Sequence, residues 1–213
     1  IGKDFQYGVN LTLAQNKNEV TKIANADGII HGSKSIPWEG ATELFRAEVG
    51  YPIGYFYGYK SAGIFQNQEQ IDNYKGAKLN GNKTQPGDVI WVDTNGDGSI
   101  SEDDRTQIGD PNPDLTMGLS FNASWKGIDL AVTTYGAFGQ QIFKCYRDFV
   151  ASPLNNYTTD IYNRWHGEGT SNKMPRLSSS VSSNWNRISD IYIEDGDYLK
   201  IKNITVGYDF KKT

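Results

Sequence analysis

The chain has 213 residues, a formal net charge of −4 and a hydrophobic fraction of 37%. This length suits one large β domain or two small ones, and the acidic balance argues against a nucleic-acid partner. The single cysteine, Cys145, excludes an internal disulfide. With 13 Tyr, 9 Phe and 23 Gly the composition is β-rich and rich in turns. No apolar run is long enough for a membrane helix, but strands of about 9–11 alternating residues would escape that test.

The first predicted strand covers residues 3–14. Apolar side chains alternate there with small polar ones, which is the period of a strand whose two faces meet different surroundings. The apolar face carries Phe5, Tyr7, Val9, Leu11 and Leu13. Alternation alone fits both a soluble sheet and a membrane barrel, so this segment predicts a strand without choosing between them.

An aromatic segment follows at residues 50–59, where five aromatic residues are interleaved with three glycines. The favoured interpretation is a tightly packed turn and strand in which glycine lets the rings approach. The alternative is an aromatic surface along a glycan or peptide path. Its candidate contact residues are Tyr55, Tyr57 and Trp38.

Residues 93–104 read as a calcium-binding loop. Calcium takes about 6–8 oxygen ligands, and a twelve-residue loop of this type supplies them from fixed positions, with glycine at the sixth. The predicted ligands are Asp93, Asn95, Asp97, the Ser99 carbonyl, Ser101 through a water, and Asp104, and Gly98 takes the sixth position. Asp replaces the usual Glu at position 12. The alternative is an Asp/Asn/Gly turn that needs no ion.

The flanks of this loop indicate a brace rather than a sensor. The preceding stretch, residues 86–92, is short and strand-like, and the following one, residues 105–113, carries a glycine and two prolines that stop a helix. No helical pair therefore encloses the loop. Ile100, at position 8, is expected to pin the loop to a core.

Three more predicted strands cover residues 115–125, 128–138 and 197–210. Only Lys126 and Gly127 separate the first two, which predicts a tight hairpin. The connections are thus long, short and long, as in an outer-membrane barrel with extracellular excursions, here residues 15–114 and 139–196. Aromatic residues that could form interfacial girdles are Phe5, Trp125, Tyr135 and Phe210.

The sequence contains no nucleophile elbow, zinc-protease motif or phosphate-binding loop. Its two histidines, His31 and His166, are better explained as surface or loop residues than as a catalytic pair. We therefore expect no enzymatic activity.

Several segments, in family order, resemble the C-terminal half of SusC/RagA-type TonB-dependent outer-membrane transporters. They cover nearly the whole chain: residues 46–54, 57–65, 86–90 with the following loop, 108–114, 164–172 and 195–203. The resemblance implies an all-β fold of antiparallel barrel strands with long structured extracellular loops. It also implies location in the bacterial outer membrane, import of glycans or peptides, a SusD-like surface lipoprotein as partner, and energy from the TonB system.

Four strands cannot close a barrel, so we expect a fragment of the transporter, an interpretation also suggested by the first residue, Ile1, and by the end at residues 210–213. In this reading the chain contributes strands in contact with outer-membrane lipid and a calcium-braced loop. The alternative is a soluble, calcium-stabilised β-sandwich that binds carbohydrate.

Overall fold

A computed structural model describes residues 4–37, 40–145, 157–177 and 184–210. The chain divides into two compact units, described here separately. The sheet unit comprises residues 1–18, 111–142 and 195–213, and the core unit comprises residues 19–110 and 143–194. Of the predicted contact residues, Trp38 lies outside the described residues.

The described residues form twelve strands and one α-helix, α1 (Gln68–Asn73). In chain order the strands are β1 (Phe5–Gln15), β2 (Ile29–His31), β3 (Phe45–Glu48), β4 (Tyr55–Gly58), β5 (Ser61–Ile64), β6 (Val89–Trp91), β7 (Thr106–Gly109), β8 (Leu115–Trp125), β9 (Ile128–Phe138), β10 (Gln141–Phe143), β11 (Ile193–Asp195) and β12 (Tyr198–Tyr208). Almost all of the regular structure is therefore antiparallel strand, and the predicted all-β class is confirmed.

The sheet unit is one antiparallel sheet in the order β1-β8-β9-β12. Each of the four strands has 11 residues, and they lie where alternation predicts strands. β8 pairs with β9 from Leu115↔Phe138 to Trp125↔Ile128, which leaves a two-residue turn. Lys126 and Gly127 both have positive φ, 46° and 85°, as a primed hairpin turn requires. The edge strands β1 and β12 do not pair with each other, so the sheet is not closed.

A β-bulge in β12 keeps the apolar side chains of the sheet on one face. The register with β9 shifts between Ile201 and Asn203, so that Lys202 is the additional residue. Before the bulge the apolar positions are Leu199 and Ile201; after it they resume at Ile204 and continue at every second residue. A strand without a bulge would turn one of these two sets to the opposite face.

The apolar face of the sheet is exposed. Val9 is 61% exposed and Val206, on the other edge strand, 71%. Register places further large apolar residues on the same face, including Leu11, Leu13, Leu119, Phe121, Val132 and Ile204. The opposite face carries small and polar residues, such as Asn10, Ser120, Thr133 and Thr205. The apolar side is thus left uncovered, whereas a sheet in a soluble sandwich buries its apolar side.

Aromatic residues gather at the hairpin end of the apolar face. Phe5 pairs with Trp125, and Trp125 pairs with Ile128 of β9. Ile128 pairs in turn with Tyr208. The Tyr208 and Phe210 rings meet edge to face at 4.8 Å. The prediction for Tyr135 is wrong, because register places it opposite Gly118 and Lys200, on the polar face.

The core unit contains a four-stranded antiparallel sheet, β2-β3-β4-β7, and the pair β5-β6. β10 and β11 form a further two-stranded pair. Three groups of buried side chains fill the core unit, centred on Trp91 and Tyr192, on Leu44 and Phe56, and on Phe65 and Ile71. The helix α1 begins after the Asn67 cap, whose side chain accepts from Gln70 N. No helix among the described residues has the length and apolarity needed to cross a membrane.

Candidate functional site

The candidate calcium loop is a succession of turns closed by its own side chains. The Asp93 carboxylate accepts from Gly96 N at 2.6 Å and from Gly98 N at 2.8 Å. The Asn95 side chain accepts from Asp97 N at 2.9 Å, and Asp97 in turn accepts from Ser99 N at 2.8 Å. Such Asx turns bend the chain two or three residues at a time. The predicted ligands at positions 1, 3, 5 and 7 therefore lie in consecutive turns of one short loop.

The two loop glycines are required by the backbone. Gly96 and Gly98 have φ of 75° and 84°, in the left-handed region that side chains disfavour. No heavy atom lies within 4 Å of a Cβ built at either position. Conformation rather than crowding therefore selects glycine at both positions.

Asp104 closes the loop from its far end. Its side chain is fully buried, with 0% of the residue exposed. One carboxylate oxygen accepts from Thr94 N at 2.8 Å and from Asn95 N at 3.5 Å, and the other accepts from Ser101 N at 2.7 Å. Burial acts to raise the pKa of Asp104, but these backbone donors outweigh it and hold the pKa below its ordinary value. Asp104 is thus ionised, and its role in closing the loop does not depend on a bound ion.

The loop chemistry fits a hard cation, although the carboxylates do not surround one point. In the described part of the chain no three His, Cys, Asp or Glu side chains are grouped as a metal site requires. The candidate ligands are nevertheless all oxygens, and each carboxylate has about four lone-pair sites, more than the N–H donors use. Ser101 instead accepts from Asp103 N at 3.2 Å and forms a capping box with Asp104.

The loop contacts the rest of the core unit on both sides. It follows directly after β6, and Ile100 packs against the Trp91 cluster as predicted. The Tyr59 hydroxyl donates to Glu102 at 2.8 Å, and burial together with this bond raises the pKa of Tyr59 to about 12. Arg105 donates to the Glu43 carbonyl and to the Tyr57 carbonyl. A change in the shape of the loop would therefore displace side chains that pack in the core unit.

The aromatic segment is packed, which was the favoured interpretation. Tyr55 is only 1% exposed, its ring stacks on Tyr51 at 4.9 Å, and its hydroxyl donates to Glu48 at 2.6 Å. The structure contradicts Tyr55 as a ligand contact, because neither its ring nor its hydroxyl is available. Tyr57 is half-buried, with the Arg46 and Arg105 guanidinium groups 3.4 Å and 4.4 Å from its ring centroid.

Sequence reasoning missed Asp88, which joins three stretches of the core unit. Its carboxylate accepts from Gln85 N at 2.9 Å, from Arg176 Nε at 2.7 Å and from Asn184 Nδ2 at 2.9 Å. The residue is 1% exposed. Only a Pro-Gly-Asp turn marks it in the sequence, and its two side-chain partners lie about ninety residues away, where no local pattern points to them.

An uncovered apolar sheet of 11-residue strands is typical of part of a membrane β-barrel.

No protein-family model matches the chain. TonB-dependent receptor P3 of Formosa agariphila is 30% identical over 212 residues, which are 99% of this chain and 20% of that protein. TonB-dependent receptor SusC of Bacteroides thetaiotaomicron is 25% identical over 214 residues, 99% of this chain and 19% of SusC.

The solved structures show the same architecture. A chain of the RagAB peptide transporter superposes with a TM-score of 0.65 at 22% identity and covers 97% of this chain. A chain of the RagAB peptide importer in its closed-closed state superposes with a TM-score of 0.62 at 22% identity. The match covers 98% of this chain and 21% of that one. The predicted resemblance is confirmed: the chain is similar to a segment of SusC/RagA-type TonB-dependent receptors. It spans about a fifth of the curated relatives' length.

Proposed function

We propose that the chain is part of an outer-membrane TonB-dependent importer of glycans or peptides, and not of an enzyme. The one-sided sheet carries this proposal. An 11-residue strand rises about 33 Å, and a tilt of about 40° reduces this to about 25 Å, the height of the apolar band of an outer-membrane barrel. The exposed apolar side chains would meet lipid, and the polar face would line the barrel interior.

The alternative of a soluble carbohydrate-binding sandwich is less well supported. A sandwich buries the apolar faces of two sheets against each other. The apolar face of β1, β8, β9 and β12 is uncovered instead, with Leu11 and Leu13 more than half exposed. Such a surface in water would aggregate.

In the proposed importer the core unit would form the extracellular connections that meet a SusD-like lipoprotein. Its buried clusters support this assignment, because connections this long keep a defined shape only if they fold around a core. Calcium would stiffen them. Asp93, Asn95, Asp97, the Ser99 carbonyl and Asp104 would hold the ion, which supplies positive charge against three carboxylates.

Uptake by the whole receptor tests the proposal. A fluorescent oligosaccharide or peptide panel is offered to cells that express the receptor, to the same cells without TonB, and to cells without the neighbouring surface lipoprotein. We expect uptake of at least one ligand that is lost without TonB and reduced without the lipoprotein. Uptake independent of TonB, or a receptor absent from the outer membrane, would contradict the proposed function.

A further inference from the structure

Two lysines lie beside two tyrosines on the polar face of the sheet unit. Register places Tyr135 opposite Lys200 and Tyr198 opposite Ala137, on the same face. The Lys202 ammonium lies 4.8 Å from the centroid of the Tyr135 ring. The Tyr135 and Tyr198 rings are 6.1 Å apart and tilted by 47°. We call these four residues the lysine–tyrosine cluster.

The bulge in β12 creates this cluster. Lys202 is the additional residue that the register omits between Ile201 and Asn203. In a regular strand Lys200 and Lys202 would share a face with Ile204, which is apolar and exposed. The bulge instead lets both lysines stay on the polar side while Ile204 stays on the apolar side. Bulges commonly re-aim a side chain beside a functional site.

The positive charge of the cluster is not compensated by the sheet. Among the described residues no carboxylate lies within ion-pair distance of Lys200 or Lys202. Asp129 is on the polar face but pairs with Gly207, near the hairpin end. Asp197 accepts from Gly139 N at 2.7 Å. Two lysines two residues apart on the polar face, without a carboxylate beside them, favour a bound anion.

The cluster is open on the side of the neighbouring strands. The β8 residue opposite Tyr135 is Gly118, and the β1 residue opposite Gly118 is Thr12. No large side chain therefore stands beside the Tyr135 ring in that direction, and Tyr198 is 42% exposed. The cluster also lies near the end of the sheet where the long connections leave, away from Lys126 and Gly127.

We propose that the lysine–tyrosine cluster binds an acidic saccharide inside the barrel, an inference that rests on the proposed function. The ammonium groups of Lys200 and Lys202 would donate to a uronate carboxylate. The rings of Tyr135 and Tyr198 would pack against the apolar face of a sugar. Two adjacent rings favour a saccharide over an acidic peptide, whose carboxylates stand on flexible chains and need no flat surface.

The test is titration calorimetry on the whole receptor in detergent. The probes are tetramers of galacturonate, glucuronate and mannuronate, the carboxyl-reduced form of each, and tetraglutamate. The test variant combines Lys200→Met with Lys202→Met, which keeps the aliphatic length and removes both charges. Lys200→Arg with Lys202→Arg keeps the charges, and Lys126→Met removes a charge at the hairpin.

We expect the Met variant to bind an acidic tetramer at least about tenfold more weakly, a loss of about 1.4 kcal/mol. The carboxyl-reduced form should bind the wild type weakly and should lose no further affinity in the Met variant. The Arg variant and Lys126→Met should bind the acidic tetramer with the affinity of the wild type. Equal losses for acidic and reduced tetramers, no binding of any acidic tetramer, or a charge-dependent preference for tetraglutamate would overturn the inference. A receptor that imports only neutral ligands through TonB would overturn it and leave the proposed function intact.

Discussion

Replacing Asp104 by alanine should destabilise the core unit even without calcium. The substitution removes two short hydrogen bonds to a buried carboxylate, from Ser101 N at 2.7 Å and Thr94 N at 2.8 Å. Each hydrogen bond to a charged group contributes about 1.5–3 kcal/mol. Part of this returns when water reaches the freed N–H groups, so we expect a loss of about 3 kcal/mol in the free energy of unfolding.

The pH dependence gives the same prediction a second test. The pKa of Asp104 is lowered in the folded state. Its contribution to the free energy of unfolding is therefore complete above the ordinary pKa of 3.8 and is lost as the pH falls through the pKa of the folded state. The difference in the free energy of unfolding between wild type and Asp104→Ala should therefore be constant near neutral pH and shrink in acid. Asp104→Asn should be little more stable than Asp104→Ala, since the amide NH₂ of Asn would face a backbone N–H donor.

The assay is urea denaturation of the 213-residue chain in detergent with a calcium chelator present. Fluorescence of Trp91 and Trp185, both buried in the core unit, reports unfolding in a Trp125→Phe background. Asp103→Ala is the matched control, because the neighbouring Asp103 side chain is exposed and should change stability by less than about 0.5 kcal/mol. A loss below about 0.5 kcal/mol for Asp104→Ala would refute the reasoning.

Three further predictions concern the loop, the core and the hairpin. Calcium at about 100 times its dissociation constant should add about 2.7 kcal/mol to the free energy of unfolding. Asp93→Ala with Asp97→Ala should abolish that gain in the same denaturation assay, and a gain that persists would contradict the ligand assignment. Asp88→Ala should cost about 3 kcal/mol because it leaves Arg176 without its buried partner, and a melting temperature equal to wild type would show the pair to be dispensable. Gly127→Ala should lower sheet stability by about 1 kcal/mol because φ there is 85°, measured by Trp125 fluorescence, whereas an unchanged midpoint would argue against the primed turn.

The strands of the sheet unit were predictable because one face carries apolar residues and the other carries small or polar residues. That difference imposes a period of two over 11 residues, long enough to detect in one sequence. The bulge is visible in the sequence only as a change of phase, from Leu199 and Ile201 to Ile204. Alternation within β9 already places Tyr135 on the face opposite Ile128 and Val132, so this position was readable from the single strand.

The core unit was much less predictable. Its strands have three or four residues, too few to establish a period, and its contacts join distant parts of the chain. Asp88 and Asn184, for example, are 96 residues apart. The aromatic segment shows the same limit, since composition alone could not decide whether Tyr55 faces the core or a ligand. The calcium loop was recognisable because its ligands are local in sequence, but the ion itself stays a prediction.

The central claim is that the sheet has one lipid-facing side that is preserved across the β12 bulge. Spin labels placed singly at positions 199, 201, 203, 204, 205 and 206 of the whole receptor, with Cys145→Ser as background, measure it in lipid vesicles through collisions with oxygen and with a water-soluble nickel complex. The account predicts preferential oxygen access at 199, 201, 204 and 206 and preferential nickel access at 203 and 205. Uninterrupted alternation from 199 to 205, or water access at all six positions, would contradict it.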